Sequence, residues 1–498
     1  MFIEIPHRFL VGYIAKVKII NLNKLKIENC MKKMTIAEIV LGMLGSLGYF
    51  TLYMFNPHNV AVDVTHLTPV NVYAIKRPKT VEKLQKLVRE SDRPVAIAGA
   101  RYSQGGQIAY PDALVIDMTR LNNVISFDEK QQRITVQAGM TWAQLQKYID
   151  AHNLSLRVMQ SYNDFTVGGG LSVNVHARDL AYGPIINTVE SIKIILADGS
   201  LVSADRTHNS DLFKAAIGGY GLVGIICEAS LLLTENIPLE RRIQLLSIDE
   251  YPTLFKTIYA DERAVLHNAD LFPNKFKETL STTWYTTDKE LTITERLQST
   301  EKSYLGKRAL EFLIRRIPAL KKKRSLAEVK KIIQPEVVWR NYEMSYSIKQ
   351  LAMSIHFPTA MTLQEYFVPT DKLIQATELV RTIINKYDVN VLNLSIRHVP
   401  QDTMSILAYA RQESFALVLY LNLLNTQEGK EYACNWTREL IDGMLALGGT
   451  YYLPYLMCAT KEQFYTAYPR FNEFMQIKKQ YDPTSKFKNM LWKMYVEE

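Results

Sequence analysis

The chain has 498 residues and a formal net charge of +9, with 47% hydrophobic and 22% charged residues. This length suffices for two or three domains, and the composition is that of an ordinary globular protein. The positive charge alone could indicate nucleic-acid binding, but no zinc-finger, helix-turn-helix or RNA-binding signature is present. The four cysteines have neither CxxC nor metal-ligand spacing, and Cys227 lies in an apolar run typical of a buried strand. A DNA-binding or zinc-dependent protein is therefore disfavoured.

The N-terminus combines a basic segment, residues 1–34, with an apolar run, residues 35–55, whose only charge is Glu38. About 20 apolar residues span a bilayer. Lysines precede the run and few cations follow closely, so the positive-inside rule keeps the N-terminus in the cytoplasm. No small-x-small site closes the run, so we expect a retained transmembrane signal-anchor rather than a cleaved signal peptide. A start at Met31 or Met34 would give a compact anchor, and a buried core helix is the weaker interpretation.

From residue 70 to residue 236, helical and strand patterns alternate. Residues 80–90 predict an amphipathic helix, and residues 94–100, 113–118 and 133–139 predict short buried strands. Between the first two strands lies the loop RYSQGGQ, whose glycines and backbone N–H groups suit a pyrophosphate. Residues 191–204 predict a hairpin with Asp-Gly at its tip, and residues 217–233 a turn leading into a buried strand.

The centre of this region is a glycine stretch, residues 161–184. Three consecutive glycines let the backbone approach a ligand closely, because no Cβ intervenes. After them polar and apolar residues alternate, which predicts an extended chain with one polar face formed by Ser172, Asn174, His176 and Arg178. A polar row beside a bare backbone suits a flat heterocycle with a phosphate tail. The alternative is a glycine-rich surface loop.

The segment order resembles a known flavoprotein family. No G-x-G-x-x-G follows a strand in the required context, which disfavours a Rossmann fold. The runs VAIAGARYSQGG, LVIDMTRLNNV, ITVQAGMTWAQL, VGGGLSVNVHARD and GPIINTVESIKIILADG, in this order, resemble the FAD-binding domain of the vanillyl-alcohol oxidase / p-cresol methylhydroxylase (PCMH) superfamily. The resemblance implies an α+β protein in which a two-subdomain PCMH-type domain, residues 70–236, precedes a mixed-sheet substrate or cap domain, residues 237–480. Residues 481–498 would return to the flavin domain.

The same resemblance assigns the FAD contacts. The first loop would hold the pyrophosphate, the second would line the ribityl chain and flavin, and a third turn would face the adenine. The implied residues are Gly99, Ala100, Arg101, Tyr102, Ser103, Gln104, Gly105, Asp164, Thr166, Gly168, Gly169, Gly170, Ser172, Asn174, His176, Gly224 and Ile226.

Tyr102 departs from the family pattern. Many relatives carry histidine at this position and bond it covalently to the flavin methyl group. A phenol cannot replace the imidazole in that linkage, and the second loop contains no cysteine. The resemblance together with this departure implies noncovalent FAD.

The second half predicts a strand at 362–369, a helix at 371–387 and two further strands. It resembles the substrate domain of the sugar-lactone and alditol oxidase branch. Those enzymes have a Glu-x-Arg pair, of which Arg397 is kept while Ser395 occupies the glutamate position. They also have a His-x-x-Lys run, where this chain has Tyr452 and Tyr455. The Asp-Pro-x-x-x-Phe ending is present, so we expect the C-terminus to be complete.

Oxidation of an alcohol by a flavin requires a positioned substrate, a proton acceptor and positive charge near the reduced flavin. Arg397 is the first candidate for that charge, because a guanidinium does not lose its proton. Tyr452 and Tyr455 are candidates for substrate contact or proton relay, and Glu365 is a further candidate for base or anchor. Strand alternation points His398 to the opposite face from Arg397, which predicts a structural role for it.

The leading hypothesis is a membrane-anchored FAD-dependent oxidoreductase acting on a CH–OH group of a sugar, polyol or lactone, with oxygen or another electron acceptor. A variant resembles decaprenylphosphoryl-ribose oxidases and would act on a lipid-linked sugar. It draws on the anchor and on residues 306–333, where ten Lys/Arg and two Glu suit an anionic membrane or a solvated insertion. The anchor would place the catalytic domain on the periplasmic or lumenal side. A flavin-fold scaffold with a degenerate active site is the alternative.

Overall fold

The computed structural model describes residues 59–272, 275–299, 335–348 and 359–497. These all belong to one compact unit, residues 58–498. The predicted anchor, residues 35–55, and the basic insertion, residues 306–333, lie outside the described residues. Across the described ranges, no helix is both long enough and apolar enough to cross a membrane.

A small parallel sheet forms the first layer. The helix of this layer is capped by Thr80, whose side chain accepts a hydrogen bond from the N–H of Lys83 (3.2 Å). The helix buries Leu84 and Val88, as its amphipathic pattern predicts. The chain's C-terminal segment joins this layer, because the N–H of Val95 donates to the carbonyl of Lys486 (2.8 Å). Before this layer, β1 (Asn59–Ala61) and β2 (Val70–Val72) pair as a separate two-stranded antiparallel sheet. The elements of the layer are β3 (Ala74–Lys76), α1 (Val81–Glu90), β4 (Val95–Ala98) and β5 (Leu114–Asp117), with β5 between β3 and β4.

An antiparallel sheet forms the second layer, in the order β10-β9-β11-β7-β6, with β8 pairing on β11. The predicted Asp-Gly hairpin is confirmed, since β9 and β10 pair from Ile195 and Leu201 outward. Cys227 is buried in β11, and burial raises the pKa of its thiol to about 12. The elements are β6 (Val124–Asp128), β7 (Arg133–Gln137), α2 (Trp142–Asp150), β8 (Leu154–Leu156), α3 (Val167–Ser172), β9 (Val189–Ile195), β10 (Leu201–Asp205), α4 (Ser210–Ala216) and β11 (Ile225–Glu235).

The glycine stretch corrects one prediction. The alternating row after the glycines, residues 171–178, is not the predicted extended chain. It begins inside the helix α3, Val167–Ser172, because the Thr166 side chain accepts a hydrogen bond from the N–H of Gly169 and caps a helical turn. Asn174 follows with φ of 48°. The alternation of polar and apolar residues therefore does not produce a single polar face, and Ser172, Asn174 and His176 have different surroundings.

An eight-stranded antiparallel sheet forms the second half, in the order β15-β12-β14-β13-β17-β18-β16-β19. The predicted strand, helix, strand, strand succession is confirmed as β16, α7, β17 and β18. His398 packs on the face away from Arg397, near Phe255 and Phe415, as alternation predicts. The elements are β12 (Pro238–Ser247), α5 (Tyr251–Tyr259), β13 (Ala264–Leu271), β14 (Glu278–Thr286), β15 (Glu336–Trp339), α6 (Arg340–Met344), β16 (Thr359–Pro369), α7 (Leu373–Lys386), β17 (Val391–Val399), β18 (Ser414–Leu424) and β19 (Thr450–Tyr451).

Helices complete the structure after β18. The longest is α8, and a disulfide joins its Cys434 to Cys458 in the loop after β19. Sequence spacing gave no sign of this pair, which is 24 residues apart. The remaining elements are α8 (Gln427–Ala446), α9 (Lys461–Ala467), α10 (Phe471–Tyr481) and α11 (Met490–Trp492).

Candidate active site

A deep cleft lies between the glycine-containing segments of the first half and one face of the eight-stranded sheet. Counted out to its open mouth it encloses about 1430 Å³. Its lining combines residues of both glycine-containing loops with Glu365, Arg397 and Tyr455 of the second half.

The first loop follows β4 and forms one end of the cleft. Arg101 has φ of 64°, a left-handed conformation that turns successive N–H groups toward one side of the chain. Of this loop's N–H groups, Gln104 donates to the Pro454 carbonyl (2.7 Å) and Gly105 to Gln107 Oε1 (2.9 Å). In the hydrogen bonding of the described residues, the N–H groups from 100 to 103 have no acceptor. Unpaired N–H groups around a left-handed residue fit an anionic group such as a pyrophosphate.

The second loop forms the adjoining wall. Gly168 lies so close to the first half's sheet that a Cβ would be 2.9 Å from Ala138 Cβ and 3.0 Å from its carbonyl oxygen. Glycine is therefore required for this close approach. Gly168 and Gly169 both line the cleft.

Tyr102 lines the cleft and packs against Phe165, with ring centroids 4.6 Å apart. Burial, reinforced by the negative charge of Asp164, raises the pKa of Tyr102 to about 12. The side chain is therefore a neutral phenol at physiological pH.

The sheet side of the cleft holds a buried carboxylate. Glu365 Oε1 lies 2.6 Å from His176 Nε2, and Glu365 Oε2 accepts a hydrogen bond from the Tyr455 hydroxyl (3.2 Å). Burial acts to raise the pKa of Glu365, but His176, the nearby charge of Arg397 and the Tyr455 hydroxyl together hold it below the usual value. The carboxylate is therefore ionised at neutral pH.

Buried polar atoms without partners point to a polar ligand. In the described part of the chain, His176 Nδ1, Ser161 Oγ and Arg397 Nε have no hydrogen-bond partner, and all three residues line the cleft. Arg397 forms no salt bridge with any described residue. An unpaired buried donor costs free energy unless a ligand or water satisfies it.

Most residues predicted for the site line this cleft. They are Gly99, Ala100, Arg101, Tyr102, Ser103, Gln104, Thr166, Gly168, Gly169, Ser172, His176, Gly224, Ile226, Arg397, Tyr452 and Tyr455, together with Glu365.

Four predicted residues lie outside the lining. Asp164 accepts hydrogen bonds from Ser347 Oγ and the N–H of Ile348. The Asn174 amide donates to Asp402 (2.8 Å). Gly105 and Gly170 lie beside other protein groups, Gly105 next to Gln107 and Gly170 next to Trp142. These four residues therefore support the walls from behind.

Tyr452 and Tyr455 differ although both line the cleft. The Tyr452 hydroxyl donates to the carbonyl of Val173 (2.8 Å), whereas that of Tyr455 donates to Glu365. Burial raises the pKa of both phenols well above the usual value.

Sequence reasoning missed several lining residues. Tyr162 lines the cleft near Arg397. Its position shortly before the three glycines in the sequence was the only signal that it belongs to the site. Gln107 lies in the first loop and donates to the carbonyls of Leu453 (2.6 Å) and Tyr455 (3.1 Å). It thereby fixes the tyrosine loop to the first loop, a contact between residues more than 340 positions apart.

Comparisons with known proteins agree with this geometry. A family model described as an FAD binding domain matches residues 72–205, and one described as D-arabinono-1,4-lactone oxidase matches residues 267–496. The fold and cleft thus define a PCMH-type FAD-binding protein. The two matches together confirm the resemblance to the sugar-lactone oxidase branch of that superfamily that the sequence motifs predict.

Curated relatives match mainly over part of their length. L-gulonolactone oxidase of Mus musculus is 28% identical over 151 residues, 30% of this chain and 34% of the relative. Decaprenylphosphoryl-beta-D-ribose oxidase of Mycolicibacterium smegmatis is 31% identical over 170 residues, 34% of this chain and 37% of the relative. Cytokinin dehydrogenase 1 of Arabidopsis thaliana is 29% identical over 186 residues, 35% of this chain and 32% of the relative. The chain spans about a third of the length of the relatives it matches.

Proposed function

We propose that the protein is an FAD-dependent oxidoreductase that oxidises a CH–OH group of a sugar, polyol, lactone or lipid-linked sugar. One observation carries this proposal: the glycine-lined cradle and the Glu365, Tyr455 and Arg397 side chains line the same cleft. FAD bound in the cradle would supply the hydride acceptor. The names of the gulonolactone and decaprenylphosphoryl-ribose oxidases support this reaction class.

The cleft residues have separable roles in this reaction. The N–H groups of the first loop and the backbone at Gly168 and Gly169 would hold the cofactor. Arg397 supplies a permanent positive charge to a largely buried cleft, where negative charge accumulates on reduction. Tyr452 and Tyr455 form a wall against which the substrate would lie.

FAD is held without a covalent bond. A neutral phenol at Tyr102 supports this, since its pKa of about 12 leaves no phenolate nucleophile. The ring instead packs on Phe165 and forms part of the cofactor wall.

The scaffold alternative is not favoured. It was suggested by the loss of the glutamate and lysine seen in relatives. The cleft nevertheless contains an ionised carboxylate, a guanidinium and unpaired polar atoms, which a degenerate pocket would not be expected to keep.

The catalytic unit lies on the periplasmic or lumenal side of a membrane, anchored by residues 35–55. The lysine bias before that run supports this orientation. The disulfide between Cys434 and Cys458 adds support, because disulfides persist in oxidising compartments.

Anaerobic flavin bleaching tests the proposal. Purified full-length protein, loaded with FAD, is mixed with a panel of polyols, sugar lactones and lipid-linked sugars without oxygen. At least one member should bleach the flavin absorbance. Stable yellow protein that dithionite reduces but no panel member bleaches would contradict the proposed function.

A further inference from the structure

Three buried side chains from distant segments form one hydrogen-bonded chain at the sheet side of the cleft. His176 follows α3, Glu365 lies in β16, and Tyr455 lies in the loop after β19. Each Glu365 oxygen has its own partner: Oε1 lies 2.6 Å from His176 Nε2, and Oε2 accepts from the Tyr455 hydroxyl at 3.2 Å. The side chains of His176 and Glu365 are each 3% exposed. Water therefore has little access to the carboxylate except along the cleft.

The exposed end of this chain is Tyr455. Tyr455 lines the cleft, and Arg397 acts electrostatically on both Tyr455 and Glu365. A substrate hydroxyl placed beside the Tyr455 oxygen would thus be one hydrogen bond from a buried acceptor. Tyr452 lacks this connection, because its hydroxyl donates to the Val173 carbonyl.

The sheet register shows how the chain keeps a carboxylate at this level. Glu365 pairs with Val418, and Val418 pairs with Ser395 on its other side. Paired residues of an antiparallel sheet point to the same face. Ser395 and Glu365 therefore stand in one row, two strands apart, at about 10 Å by the usual strand spacing. The carboxylate absent at 395 is supplied from β16, on the side where Tyr455 lies.

We propose that His176, Glu365 and Tyr455 form the proton acceptor for the alcohol, an inference that rests on the proposed function. The Tyr455 oxygen takes the substrate hydroxyl proton while its own proton passes to Glu365 Oε2. FAD bound in the cradle would accept the hydride from the substrate carbon and with it two electrons. The substrate C–H and O–H bonds would thus break and a C=O bond would form, an oxidation by two electrons. Tyr455 is the catalytic residue, and His176 is a positioning residue that holds the carboxylate.

A carboxylate of low proton affinity suits this task. As the hydride leaves, positive charge develops on the carbon and the hydroxyl proton becomes strongly acidic. The proton can then move to a weak base without a large penalty, provided that the base is ionised and already hydrogen-bonded.

The test compares Tyr455→Phe, Glu365→Gln and the double variant in full-length, FAD-loaded protein. Flavin content is measured first, and flavin reduction by a bleaching substrate is then followed in a single turnover. In each single variant the flavin should be reduced about 10²- to 10⁴-fold more slowly, as expected for the loss of a general base. The double variant should match the slower single one, because residues that act as a unit are not additive.

Two matched controls lie outside the cleft lining. Glu413→Gln breaks another His–Glu pair, in which His398 Nε2 lies 2.7 Å from Glu413 Oε1. Tyr366→Phe removes another buried hydroxyl of β16, which donates to Gln364 (2.6 Å). In both control variants the flavin should be reduced at the same rate as in the parent protein. The same rate in the single variants at Tyr455 and Glu365, with full flavin content, would overturn the relay.

An infrared measurement provides a readout independent of turnover. The difference spectrum between the parent and Glu365→Gln, recorded at pH 7 without substrate, should show the loss of an ionised carboxylate. A band of a protonated carboxylic acid would overturn the proposal, as would multiplication of the single effects in the double variant. A parent protein that no alcohol bleaches would contradict the proposed function itself, whichever band is seen.

Discussion

Cys434 and Cys458 form a disulfide that fastens α8 to the loop carrying Tyr455, three residues before Cys458. Arg438, one turn further along α8, donates from Nε to the Cys458 carbonyl (2.7 Å) and reinforces the same attachment. The loop that carries Tyr455 is therefore fixed by a covalent bond outside the cleft lining.

Removal of this bond should weaken the fold. A loop of 24 residues predicts that Cys434→Ser lowers the free energy of unfolding by about 2–4 kcal/mol. Denaturant unfolding measures the change, and a reductant should produce a similar loss in the parent. Cys227→Ala is the control, because Cys227 is a free thiol in β11. The unfolding of this control variant should remain sensitive to reductant. Identical curves for the parent with and without reductant would contradict this prediction.

FAD should be fully released by acid. By the family resemblance Tyr102 stands where many relatives carry the linking histidine, and burial raises the pKa of its phenol to about 12, which keeps the hydroxyl protonated. Acid precipitation of the purified holoprotein should leave all flavin in the supernatant, measured by absorbance. Flavin that remains with the pellet would show another attachment residue.

Arg397→Met should leave FAD bound but slow flavin reduction. Loss of one electrostatic contact to a developing charge usually costs about 2.7–4 kcal/mol, or about 10²- to 10³-fold in rate. Stopped-flow single turnover measures this after flavin content is matched. Arg242→Met is the control, since Arg242 lies in β12 with its side chain 51% exposed. Reduction of the Arg397 variant at the parent rate would remove the assigned role.

Glu365 should contribute stability that is lost in acid. Its pKa is lower in the folded protein than in the unfolded chain, so the contribution is complete above the unfolded pKa of about 4.3. It declines as the pH falls through the lower folded value. Besides His176, Arg397 and Tyr455, the phenols that influence or are influenced by this charge are Tyr220, Tyr409, Tyr452 and Tyr468.

The parent and Glu365→Gln should therefore differ in thermal stability at pH 7 and converge as the pH falls below about 4. Melting temperatures recorded over this pH range measure the difference between the two proteins. Titrating groups that both proteins contain affect both melting temperatures equally and cancel in the difference. Glu413→Gln serves as the control with an exposed carboxylate. A gap between the parent and Glu365→Gln that widens in acid would reverse the sign assigned here.

The membrane orientation has its own test. A C-terminal reporter that is active only outside the cytoplasm should be active when fused to the full chain. A reporter active only in the cytoplasm would reverse the topology deduced from residues 35–55.

Local signals in the sequence predicted much of the fold. The amphipathic pattern of residues 80–90 predicted α1, and Asp-Gly predicted the hairpin of β9 and β10. The alternating residues after the glycines, 171–178, were predicted wrongly as extended chain, because the row begins inside a helix. Alternation suggested a strand, while the Thr166 cap, which favours a helix, decided the structure.

The loops that line the site were predictable from their own residues. Glycines and their neighbours indicated which segments approach the cofactor. Pairings across the fold were not predictable, because Glu365 and His176 are 189 residues apart and the Cys434–Cys458 pair depends on how α8 packs. Such contacts are set by sheet register and helix packing, which no short sequence window contains.

The most direct test of the central claim uses a substrate deuterated at the carbon that carries the hydroxyl group. Anaerobic mixing with the FAD-loaded, full-length protein should give one carbonyl product per flavin bleached, and bleaching should be slower with deuterium than with hydrogen. Bleaching without a carbonyl product, or no bleaching by any sugar, polyol, lactone or lipid-linked sugar, would contradict the account.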